Sequence, residues 1–112
     1  MILDVFKSKM VEYAKAQQAE KLGVLRFFLA QLKNKEIELR PQNQELNDEH
    51  VFKVLKKLLK QNAESIEMYD KAGRTEALSK AQAEKAILEE FMQEIPAAIR
   101  EADAQKSLQH KN

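Results

Sequence analysis

Two stretches decide the fold: KLGVLRFFLAQLKNKEIELR at Lys21–Arg40 and KLLKQNAESIEMYDKAGR at Lys57–Arg74. In both, apolar residues return every three or four positions, the period of a helix with one buried face. Both also place polar groups on or beside that face. In the first, Glu36 projects into the arc of Leu25, Leu29 and Leu32, with Arg26 at its edge. In the second, Asn62 falls mid-face beside Ser65.

The pattern extends outward in both directions. Leu3, Phe6, Met10, Tyr13 and Gln17 predict a first helix over 2–17. A second is predicted over 19–40, ended by Pro41, because the residue before a proline is pushed out of helical geometry. The third is the best punctuated. Asn47 can cap its free N–H groups, and Asp48 and Glu49 sit in its positive first turn. Val51, Leu55, Leu58, Ile66 and Tyr69 form its core face, and it stops at Gly73. Thr75 is then expected to cap a fourth helix facing inward through Ala77, Ala81, Leu88, Phe91 and Met92. Pro96 interrupts that helix, and 97–108 form a short, weakly amphipathic last one. Short loops make neighbouring helices antiparallel. The expectation is an all-α antiparallel bundle of about four helices over 1–95, then a short C-terminal helix and a fraying end within 96–112.

Composition agrees. Of 112 residues 44% are hydrophobic and 33% charged, with 2 Gly and 2 Pro, too few turn formers for a sheet protein. There is no Cys, which removes disulfides and thiol nucleophiles. Asp4, Lys7, Lys9 and Glu12 interrupt the N-terminus where a signal peptide needs an apolar run. The expected setting is soluble and cytoplasmic, without a membrane. The net charge of +1 argues mildly against a dedicated nucleic-acid binder.

Lys53, Lys56, Lys57 and Lys60 form a stripe at i, i+3, i+4 and i+7, opposite the Val51/Leu55/Leu58 face. A phosphate backbone could use such a stripe. A solvated face is the simpler reading, because Glu64, Glu67 and Lys71 continue it with mixed sign. Reflecting the chain about Gln44 and Gly73 puts Arg26, Asn62 and Glu84 in one layer. This predicts an Arg26–Glu84 ion pair flanked by Asn62 that fixes helix register. The functional alternative is a polar pocket with Arg26 as an anion anchor.

Catalytic and metal signals are missing from the pattern. His50 and His110 stand apart, with no Glu-x-x-His or H-E-x-x-H pair. No serine lies in G-x-S-x-G, and no glycine-rich phosphate loop exists. No catalytic residue, cofactor or metal is expected.

Three blocks, in order, carry a family likeness. LRFFLAQLKNKEIE at Leu25–Glu38 resembles the "LR-x-LLAALKN-x-EIE" helix of the GatB/YqeY family. LNDEHVFKVLKKLLKQNAESIEMYDKAGR at Leu46–Arg74 is similar to its next helix, which ends "Y-x-K-A-G-R". AQAEKAILEEFM at Ala81–Met92 resembles the helix after that. Motif positions matched here include Arg26, Lys33, Asn34, Glu36, Arg74 and Glu84. The resemblance implies a helical bundle followed by a helical tail, of which this chain holds only the start. It also implies kinship with the tRNA-contacting part of a tRNA-dependent amidotransferase subunit. The function so implied is a non-catalytic module that binds tRNA or a tRNA-charging enzyme. The alternative is a protein-interaction or self-associating bundle without RNA. Glutamine-dependent carbon–nitrogen ligase activity ranks third, since neither an ATP site nor an amide-donor site is visible.

Overall fold

The computed structural model describes residues 2–109, with side chains through residue 105. His110 and the rest of the end expected to fray lie outside the described residues. Five α-helices follow one another: α1 (Ile2–Lys15), α2 (Ala19–Leu39), α3 (Asp48–Lys71), α4 (Thr75–Met92) and α5 (Ala97–Gln109). No strand occurs among the described residues. The all-α bundle with a short last helix is the fold the periodicity predicts.

The helix ends show why the chain turns where it does. After α1, Gln17 adopts φ 56°. Gln18 N–H then bonds Tyr13 carbonyl at 2.9 Å, and Gln17 N–H bonds Ala14 carbonyl at 3.3 Å. The same paired bonds recur at Asn43 (φ 55°) and at Gly73 (φ 68°). Each is a left-handed C-terminal cap that satisfies the last free carbonyls. α2 ends at Leu39, just before Pro41 as the sequence predicts, but Arg40 is not pushed out of helical geometry: it stays at φ −55°, ψ −47°, and its N–H bonds the Ile37 carbonyl. Pro41, which has no N–H to continue the α-helical ladder, sits second in a 3-10 turn over Arg40–Gln42, and Asn43 closes that turn.

Asn47 caps α3 as expected. Its Oδ1 accepts from His50 N–H at 3.0 Å, and His50 Nδ1 accepts from Asn47 N–H at 3.0 Å. This reciprocal pair satisfies two backbone donors. Thr75 does not cap α4; it is the first helical residue. Arg74 holds the cap position without a side-chain bond.

At the centre of the core three rings, from α1, α2 and α4, pack on one another. Phe6 meets Phe28 edge-on at 5.1 Å and Phe91 edge-on at 5.6 Å, while Phe28 and Phe91 stack at 5.9 Å. All three are fully buried, with Leu25, Val51 and Leu55 around them. Such aromatic pairs contribute about 0.5–1.5 kcal/mol beyond their burial. Phe52 is buried too, outside the predicted α3 face, whereas Ile66 and Tyr69 are only half-buried. From Ala63 to Lys80 no side chain is buried. The far half of the α3–α4 hairpin is thus an arm standing off the core. The radius of gyration, 15.6 Å, exceeds the ~13 Å of a compact chain of this length.

Candidate functional site

The four lysines of the α3 stripe are all exposed, but they are not equivalent. Lys56 Nζ lies 2.7 Å from Asp103 Oδ2 on α5 and 5.7 Å from the Phe52 ring centre. Its charge is already matched. Lys53 and Lys57 instead line a groove of about 410 Å³ between α3 and α2, facing Lys35, Gln31, Asn34 and Glu38. Val54 and Leu58 form part of its lining. The groove's cations are Lys35, Lys53 and Lys57, and Glu38 is its carboxylate, 3.8 Å from Lys35 Nζ. Lys60 is exposed but outside this groove. Lys35 was missed in the sequence because it belongs to another helix.

The expected Arg26–Asn62–Glu84 network does not form. Arg26 is exposed and makes no ion pair with Glu84 among the described residues. α2 buries Leu25, Phe28 and Leu32. Arg26 sits about 100° from Leu25 and about 160° from Phe28 around the helix, so it points away from α4. Reflection about the two turns also misjudged the level. It pairs Phe91 with residues near Lys33, yet Phe91 stacks on Phe28. Glu36, expected to project inward, is only half-buried. Its carboxylate lies 3.5 Å from Lys33 Nζ on its own helix and 3.3 Å from Arg40 in the 3-10 turn that follows. Arg74 lies 5.9 Å from the Tyr69 ring centre, at the tip of the arm.

Asn62 is in the core, as expected, at 8% exposure. Its Nδ2 donates to Ala81 carbonyl at 3.0 Å, tying α3 to α4. Its Oδ1 is buried and has no partner. Asn62 lines a larger groove, about 740 Å³, between α2 and the α3–α4 hairpin, together with Gly23, Val24, Phe27, Ser65, Tyr69, Ala77, Ala81 and Glu84. Phe27 is 56% exposed there. Leu58 and Gln61 line both grooves and so join them. The available sequence signal was a set of small residues, Gly23, Ala77 and Ala81, where a tight bundle needs larger ones.

Among the described residues no three His, Asp or Glu side chains gather closely enough to hold a metal ion. No helix among the described residues is long and apolar enough to cross a membrane. Fold and surface together define an all-α module with two connected surface grooves, one lined by lysines and one mostly apolar. A family model described as Yqey-like protein matches residues 3–111, and the chain belongs to that family. No curated protein matches it significantly.

Proposed function

We propose that this protein is a non-catalytic RNA-associated module whose RNA contact is the lysine groove between α2 and α3. The RNA is a tRNA, the partner that the sequence resemblance implies. One observation carries the reading. Lys53 and Lys57 on α3 face Lys35 on α2 across one groove, with the amides of Gln31 and Asn34 beside them. Ammonium groups neutralise phosphates, and side-chain amides add positioning hydrogen bonds. The near-neutral chain confines this contact to one strip, so binding is modest and strongly salt-dependent.

The test is titration of labelled tRNA between about 50 and 200 mM salt. Replacing Lys35, Lys53 and Lys57 together by Gln is expected to flatten the log–log salt slope by about one unit per lysine. Replacing Lys80, on the other groove, leaves the slope unchanged. Absence of tRNA binding by the unmodified protein at low salt sinks the reading.

A further inference from the structure

We infer that the groove between α2 and the α3–α4 hairpin is a docking site for one amphipathic helix of a partner protein, with basic flanks. This goes beyond the RNA reading and stands without it.

The shape favours a helix. The α4 wall from Ala77 to Leu88 is about 16 Å long, three helical turns. Its walls are small where a guest backbone must come close: Gly23, Ser65, Ala77 and Ala81. A Cβ built on Gly23 meets nothing within 4 Å. Phe27 and Tyr69 are the large rings at this groove, and aromatic side chains are the usual anchors of helix-in-groove contacts.

Chemistry narrows the guest. The groove carries Glu20 and Glu84 against one cation, Lys80. No ion pair among the described residues uses either carboxylate. Lys or Arg on the guest's flanks complements that charge. A second copy of this chain fits poorly. Its other exposed large apolar residues, Val5, Val11, Ile37 and Met68, do not line up on any one helix. Val5 and Val11, the two that share a helix, lie about 120° apart around α1.

The experiment is selection of displayed peptides of about 14 residues on the full chain, in parallel with Gly23→Leu. Gly23→Leu fills the groove from an open helical position, so it remains folded by circular dichroism. Expected are peptides with apolar residues at i, i+3, i+4 and i+7 and Lys or Arg flanks. A synthetic version then loses on the order of tenfold in affinity on Gly23→Leu and on Phe27→Glu. It shifts the backbone amide resonances of Val24, Ser65 and Ala81. Failure to enrich any peptide, equal binding to Gly23→Leu, or shifts confined to α1 overturns the proposal. So does a dimer in solution that Phe27→Glu dissociates, which assigns the groove to a second copy.

Discussion

Asn62 Nδ2 donates to the Ala81 carbonyl at 3.0 Å, and this bond closes the core at the base of the hairpin arm. Beyond it, toward Gly73, nothing is buried. The same side chain holds an unmet acceptor, so its two halves act in opposite directions on stability.

That opposition makes Asn62 substitutions informative. Asn62→Asp removes the donor and buries a charge, and is expected to cost about 3 kcal/mol. Asn62→Leu loses the bond but also removes the orphan oxygen, and is expected to stay within about 1 kcal/mol of the parent. Urea unfolding measures both. Equal losses for the two variants would refute the orphan-acceptor account.

Gly23 sits inside α2 with open space where a Cβ would be. Gly23→Ala is expected to stabilise the protein by about 1 kcal/mol, raising Tm by about 4–8 °C. A calorimetric scan checks it; a lower Tm points to a close approach that the structure does not contain.

Asn47 and His50 cap α3 as one unit. Asn47→Ala is expected to cost about 1 kcal/mol. The double variant Asn47→Ala/His50→Ala is expected to lose less than the sum of the singles, because each single change already breaks part of the shared motif. Strict additivity in denaturant unfolding would contradict the reciprocal bonds.

Lys9 ties α1 to the turn after α4, with its Nζ 3.2 Å from Glu94. Burial works against its charge, but the hydrogen bond and the attraction of Glu94 outweigh it and raise its pKa above the usual 10.5. A pKa raised on folding adds stability that is complete below the unfolded value and vanishes as pH climbs through the folded one. Lys9→Gln is therefore expected to shrink the alkaline loss of stability above about pH 10.5. The difference stays below about 1 kcal/mol, since the pair is partly solvent-screened. Unfolding curves of both proteins across that window provide the check.

Within the lysine groove Glu38 offsets the charge of Lys35; outside it, Lys56 is engaged by Asp103. Glu38→Gln is expected to tighten tRNA binding two- to fivefold, about 0.5–1 kcal/mol. Lys56→Gln is expected to change it least among the stripe lysines. Ranking the single variants in one salt titration decides this; Lys56 leading the ranking would move the RNA track toward α5.

The elements themselves were legible because helix formation is local. Spacing located every helix, and Asn47 and Gly73 marked the ends of α3. Gln17 and Asn43 were harder to read, since each adopts a left-handed conformation that glycine more often supplies. Outward-pointing Arg26 and the level of Phe28 against Phe91 depend on how α2 crosses α4. That crossing follows from ring packing among residues far apart in the chain, which loop symmetry does not encode. The grooves were hidden for a related reason: a space between helices has no letter in the sequence, only small residues along its walls.

The three-ring core bears on how the chain folds as it is made. The α3–α4 hairpin needs only contacts between neighbours, but its second helix ends with Phe91 and Met92. Phe6 and Phe28 therefore await a ring that is made only as that hairpin is completed. Until Phe91 is synthesised, α1 and α2 carry their aromatic side chains without the third member that seals them. A chain cut short before that point would present those rings to solvent, as exposed apolar surface prone to aggregate.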